Sequence, residues 1–189
     1  MTETLEEKVA RVLRDRIELV PPDPAWPGLF EEEKVRLFSC LTEGLVVRIE
    51  HFGSTAIPGI WAKPVVDMLV EVSDLDRARE EAMPIMEGLG YEAFWRPQPA
   101  GATPPHYPWF IRRGPNGERT HHIHMTVTDS TLWAARGFRD YLREHPDAAA
   151  EYERLKRRLI ADHPGDRVAY TRGKTEFVRD IAARAAAGC

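Results

Sequence analysis

The run Val65-Val66-Asp67-Met68-Leu69-Val70-Glu71-Val72 constrains the fold more than any other part of the sequence. It is apolar at both parities except for two acids. An extended segment that is apolar on both faces needs cover on both, so the run predicts a central strand between two layers. Asp67 is the anomaly within it. An unsatisfied buried polar group costs ~2–7 kcal/mol, and a charge more. The carboxylate therefore has to hold a metal ion, a cation or a set of N–H donors. A structural Asp–Lys or Asp–His pair meets the same demand.

The segments around this run alternate between strand and helix patterns. Residues 2–15 have Leu5, Val9, Val12 and Leu13 on one helical face, and Ile17 to Val20 reads as a short strand. Pro21 to Pro27 is a loop holding Trp26. Leu29 to Leu41 predicts a helix with Leu29, Phe30, Leu37, Phe38 and Leu41 inward and Glu31, Glu32, Glu33 and Lys34 on the wet side. Val46 to Phe52 reads as a strand broken by Gly53-Ser54, and Thr55 to Trp61 as a turn or one short helix. Asp74 caps a helix predicted to run to Leu89, with Gly90 as its stop. Tyr91 to Trp95 is a further strand, and Pro97 to Pro105 a Pro/Gly-rich loop. Tyr107 to Arg113 and Glu118 to Val127 alternate around Pro115-Asn116-Gly117, a hairpin pattern. Three helices follow: Leu132 to Glu144, Asp147 to Asp162 and Thr175 to Ala186. The expected fold is α/β, with a mixed α+β sheet and the C-terminal helices packed on or beside it.

The 189 residues suit one domain, with 43% hydrophobic and 30% charged residues and a mean hydropathy of -0.42. No apolar run approaches the ~20 residues that cross a bilayer, so no membrane role is expected. The N-terminus lacks the apolar stretch of a signal peptide. Net charge is -4, which argues against bulk nucleic-acid binding and leaves local basic patches open. Cys40 and the terminal Cys189 are the only cysteines. They imply no disulfide framework, and a reducing cytoplasm is the expected compartment.

The chemistry concentrates between His51 and Asp67. Glycine at a strand end lets backbone approach a ligand closely, and the following N–H groups can face an anion. Ser54 and Thr55 add hydroxyls, and Lys63 lies between this turn and Asp67. His122 and His124 point to one face of a strand, and His121 to the other. If that strand lies beside the Asp67 strand, an Asp/His/His cluster forms. Two neutral imidazoles suit zinc, manganese or iron better than magnesium; the bland reading is that each histidine bonds a neighbouring carboxylate or carbonyl. Arg167, Tyr170, Thr171, Arg172 and Lys174 place cations and hydroxyls around a turn that opens a helix, a ready anion site or merely a solvated turn. His106 and Tyr107 end the Pro-rich loop, where they would flank a bound base.

The stretch EHFGSTAIPGIWAKPVVDMLVEV resembles the signature of GrpB-like proteins, counted among the nucleotidyltransferase superfamily. ELVPPDPAWPGLFEEEK, with Trp26 and Phe30, resembles the family's opening. HIHM at His122 to Met125, FRDYLREHPDAAAEYERLKRRL and DRVAYTRGKTEFV also match, so the likeness spans residues 16–183. Residues 1–15 then form an N-terminal helical extension to a single domain over 16–189. The resemblance implies a nucleotidyltransferase-like fold in which Gly53 and Ser54 hold phosphate and Asp67 holds divalent metal, magnesium or manganese. Thr55, Lys63, Tyr170 and Lys174 join the phosphate or nucleotide set, and His122 and His124 the metal set.

One departure matters. Active members of the superfamily carry a second carboxylate two residues after the first, and here that residue is Leu69. Glu71 lies about 13 Å along an ideal strand at ~3.3 Å per residue, too far to share one ion with Asp67. Three functions are compatible with this pattern. The first is nucleotidyl or phosphoryl transfer from a metal-bound nucleotide, Asp67 being the catalytic residue. The second is a non-catalytic binding or partner-stabilising module, as in fusions of GrpB-like domains to dephospho-coenzyme A kinase. The third is a hydrolase built on His122 and His124. The expected ligand is a nucleotide or phosphorylated small molecule, and a protein partner is compatible.

Overall fold

The computed structural model describes residues 3–187. At its centre is a five-stranded sheet of β1 (Val46–Phe52), β2 (Val66–Val72), β3 (Glu92–Pro97), β4 (His106–Arg113) and β5 (Arg119–Thr126), ordered β1-β2-β5-β4-β3. β2 and β5 run parallel, and every other neighbouring pair is antiparallel. β2 is thus an interior strand, paired along both edges by β1 and β5. The turn between β4 and β5 uses Gly117 at φ 82°, which a β-branched side chain would not adopt.

Helices cover both faces. α2 (Trp26–Cys40) packs on Met68, Val70, Val72, Ile123 and Met125, together with α3 (Leu75–Arg77), a π-type stretch Ala78–Ala82 and α4 (Met83–Gly88). On the opposite face, α1 (Leu5–Arg14) sits at the β3–β4 side, where Val12 meets Phe94 and Ile111. α5 (Ala134–Glu144), α6 (Pro146–Asp162) and α8 (Thr175–Ala187) bury a second core: Phe138, Leu142 and Tyr152 against Ile57 and Ile60 of the β1–β2 connection. Arg139 ties α5 to β1 by donating to the His51 carbonyl at 2.6 Å and Glu50 at 3.0 Å. α7 (Arg167–Gly173) completes this face. Among the described residues, no helix is long and apolar enough to cross a membrane.

Four expectations change. Glu33, read as solvated, is buried, and its carboxylate accepts from Tyr91 Oη and Arg112 Nη1. The reason is helical phase: Trp26, Phe30, Glu33 and Leu37 share the buried stripe, while Leu29 and Phe38 fall on its exposed flank. In α1 only Val12 is buried, and Leu5, Val9 and Leu13 are exposed. Its start is set by a capping box, Thr4 Oγ1 accepting from Glu7 N at 3.2 Å and Glu7 Oε2 from Thr4 N at 2.8 Å. Ile17 to Val20 forms no strand, only one antiparallel pairing of Val20 with Ala62. The 167–173 segment is a short helix rather than a turn. Cys40 is a half-buried free thiol; Cys189 lies outside the described residues.

Candidate phosphate and metal site

Register builds the site. In the parallel β2–β5 ladder Asp67 pairs with His122, and Leu69 with His124. Asp67, His122 and His124 therefore share the face opposite α2, while His121 faces α2 and lies 3.4 Å from the Leu29 carbonyl. The expected convergence of Asp67 with the two histidines is what the fold produces.

Asp67 Oδ1 and His122 Nδ1 are 2.9 Å apart, and His122 Nε2 lies 3.2 Å from Arg119 Nη1. Guanidinium groups only donate, so Nε2 accepts and Nδ1–H donates to Asp67. His122 is thus neutral, with both nitrogens used. Arg119 is held by the end of α1: its Nε donates to Asp15 Oδ2 at 2.6 Å and its Nη2 to the Val12 carbonyl. His124 Nδ1 lies 3.1 Å from Tyr107 Oη, and the His124 ring stacks on Tyr107 and meets Phe52 edge-on. Burial pushes His122 down to about 4 and His124 to about 3, against the pull of Asp67. Burial alone would raise the Asp67 carboxyl, but the His122 hydrogen bond and the charge of Lys63 hold it well below the usual range. The buried indole Nε1–H of Trp109, whose ring lies beside both imidazoles, finds no acceptor among the described residues.

Gly53 ends β1 at φ 71° and ψ -170°, a region that is essentially glycine-only. A Cβ there would also fall on Asp67 Oδ2. Glycine is required because the Asp67 carboxylate packs against its Cα, a reason distinct from the expected approach of a phosphate. A side chain at Gly53 therefore disturbs the fold itself. Ser54 opens a single turn of 3-10 helix and lies against the Tyr152 hydroxyl. Thr55 is buried and turned away. Its hydroxyl donates to the Val65 carbonyl at 3.3 Å and sits 3.0 Å from His51 Nε2, pinning the two ends of the β1–β2 connection. The fold gives Thr55 a holding role, with no free donor for a ligand.

Lys63 and Lys174, distant in sequence, both place their ammonium groups over the Tyr170 ring. Their ammonium groups lie 6.0 and 4.5 Å from the centre of its buried ring. Among the described residues neither has a carboxylate within 4.0 Å. Burial, then the nearby Lys174 charge, lowers Lys63 to about 7. Burial lowers Lys174 to about 8, with Asp67 pulling the other way and Arg167 adding to the fall. Arg172 is exposed. His106 stacks on Trp95 at the loop end, while Tyr107 is committed to His124.

Asp67, His122 and His124 offer ligand atoms within 4.8 Å of one another. One carboxylate and two neutral imidazoles fit a single borderline ion, manganese or zinc, once His122 exchanges Arg119 for it. They do not fit a pair of magnesium ions. Leu69 is fully buried, and Glu71 accepts from Arg48 Nε at 2.5 Å farther along the sheet. Sequence reasoning missed Arg119, Asp15, Trp109 and Tyr152 as neighbours of the site, and placed Tyr107 beside a base rather than against His124. Arg119 was hidden by a β-bulge between Arg112 and Arg113, where Arg119 pairs with Arg113 and His121 with Arg112.

The model of the family described as GrpB protein matches residues 16–184. The chain belongs to the GrpB family. Among its relatives is a UPF0157 protein of Pseudomonas aeruginosa, 43% identical over 92% of this chain and 69% of that one. The crystal structure of a conserved GrpB protein from Enterococcus faecalis is 33% identical and superposes with a TM-score of 0.76, covering 89% of this chain and 96% of that one. A dephospho-CoA kinase of Mycolicibacterium paratuberculosis is 30% identical over 93% of this chain. The present chain spans only 47% of that kinase. A GrpB-like unit therefore occurs there within a longer chain.

Proposed function

We propose that this GrpB-family protein binds a phosphate-bearing ligand of the nucleotide class where β1 and β2 meet α7, with one divalent ion of the manganese type at Asp67. The lysine pair carries the reading. Two half-buried ammonium groups lie over the Tyr170 ring with no carboxylate partner among the described residues. Burial without a counter-charge costs free energy, and a phosphate between them would recover it. Ser54 beside Tyr152, itself a neighbour of Tyr170, supports a place for phosphate oxygens, and the unpartnered Trp109 N–H supports a ligand acceptor near the histidines. The ion would supply charge neutralisation at the phosphate; Asp67, His122 and His124 would hold it.

Nucleotidyl or phosphoryl transfer in the isolated protein is expected to be slow, because Leu69 stands where a two-ion site needs an acid. A non-catalytic module is the second reading. The similarity to a longer dephospho-CoA kinase favours it, as does the full hydrogen bonding of His122. It requires the anion site alone, with no turnover at all.

Calorimetric titration of inorganic triphosphate, with and without Mn²⁺, tests both. The expected result is saturable binding that weakens about tenfold or more in Lys174→Met, the loss of one charge-assisted hydrogen bond being worth roughly 1.5–3 kcal/mol. Equal affinity in wild type and Lys174→Met overturns the phosphate reading. An Mn²⁺ enhancement that survives Asp67→Asn overturns the metal assignment.

A further inference from the structure

A cleft of about 260 Å³ lies behind Lys63, between the α1–α2 link and the β4–β5 turn. Its cations are Arg16, Lys63, Arg113, Arg119 and Arg167. Asp15 satisfies two of them, Arg113 Nη2 at 2.9 Å and Arg119 Nε at 2.6 Å. Arg16, Lys63 and Arg167 have no carboxylate within 4.0 Å among the described residues. Arg167 makes only a long 3.4 Å bond from Nε to the Asp15 carbonyl. Glu18 is exposed at the rim, and Glu118 takes the Asn116 N–H at 3.1 Å. Positive charge is therefore continuous from Lys174 through Lys63 to Arg167. The carboxylates placed against this line are Asp67 near one end and Asp15 at the other.

We infer that this cleft is a second anion subsite, and that the ligand is one molecule bearing two separated anionic groups. One group lies between Lys63 and Lys174, and the other reaches Arg167 and Arg16. This rests on the phosphate reading above and deepens it to a bis-anionic ligand class. The shape supports one bridging molecule. Lys63 lines the cleft and also faces Tyr170, so the two subsites share a wall. Asp15 already marks the arginine end as a place where a carboxylate settles.

The test compares inorganic phosphate with alkane-α,ω-bisphosphonates of increasing chain length, titrated calorimetrically into the full-length protein. Joining two anions makes the second contact intramolecular, so the best-fitting bisphosphonate should bind about a hundredfold tighter than phosphate. Arg167→Met and the exposed Arg16→Ser should each abolish most of that gain. Arg16→Ser should leave phosphate affinity at the lysine pair unchanged, and Arg167→Met, which removes a charge acting on both lysines, should change it by far less than the lost gain. Two variants guard against misfolding in one, and retained phosphate binding serves as the folding control. If phosphate binds but no bisphosphonate binds tighter, or if the gain survives both arginine variants, the second subsite is overturned and the lysine-pair reading stands. If phosphate itself fails to bind wild type, the lysine-pair reading falls and takes the subsite with it.

Discussion

Gly53→Ala should be costly, and the cost should depend on Asp67. Two effects add at this position. An L-residue at φ 71°, ψ -170° costs ~1–3 kcal/mol, the range for strained backbone of this kind. The new Cβ would also fall on Asp67 Oδ2, forcing the carboxylate off His122 Nδ1, 2.9 Å away. A charge-assisted hydrogen bond is worth roughly 1.5–3 kcal/mol. The sum, about 2.5–6 kcal/mol, lowers Tm by roughly 5–24 °C at the ~2–4 °C per kcal/mol of a chain this size. In an Asp67→Ala background the overlap with Oδ2 and the bond are both gone and only a tight 3.0 Å contact with the Cβ of residue 67 stays, leaving mainly the ~1–3 kcal/mol backbone part. Thermal and urea unfolding of wild type, both single variants and the double variant should give a coupling of about 1.5–3 kcal/mol. Additivity within about 0.5 kcal/mol would refute the argument that Gly53 exists to seat the Asp67 carboxylate.

Lys174→Met should raise Tm at pH 7 in anion-free buffer and reduce the Tm rise given by phosphate; a lower Tm in anion-free buffer contradicts the account. The pH dependence follows from the same group. Its folded pKa of about 8 lies below the ~10.4 of an unfolded lysine, so the unfolded chain binds more protons in between. Wild-type stability should therefore rise between about pH 8 and 10 relative to Lys174→Met, as urea midpoints would report. Sulfate, which does not titrate here, should stabilise the protein more at pH 6.5 than at pH 9 for the same reason; a pH-independent Tm shift at constant ionic strength counts against it. Glu33→Ala removes a buried acceptor from Tyr91 and Arg112 and should cost about 1–3 kcal/mol, read as a lower urea midpoint with the slope preserved.

The sheet was legible where periodicity was strong. Val65 to Val72 announced a strand covered on both sides, and the spacing of His122 and His124 placed both imidazoles on one face. Alternation cannot reveal which strand lies beside which. The pairing of Asp67 with His122 depends on the parallel β2–β5 register, so the cluster was a conditional expectation. Glu33 was misread because it sits in a Glu31-Glu32-Glu33 run, where composition says solvent and only helical phase says core. Arg119 escaped because a bulge breaks the parity that sequence reasoning relies on. Lys63 and Lys174 meet around Tyr170 through tertiary packing of α7, a contact that no local pattern encodes. Their grouping came from the family resemblance, and their missing carboxylate partners from the structure.

The most direct test of the central claim is a crystal structure of the protein soaked with a nonhydrolysable nucleoside triphosphate and Mn²⁺, with anomalous data collected at the manganese edge. The account predicts phosphate density between the Lys63 and Lys174 ammonium groups, within about 2.7–3.2 Å of each nitrogen. It also predicts one anomalous peak coordinated by Asp67. Phosphates bound elsewhere, with both lysine ammonium groups still over the Tyr170 ring, would contradict it.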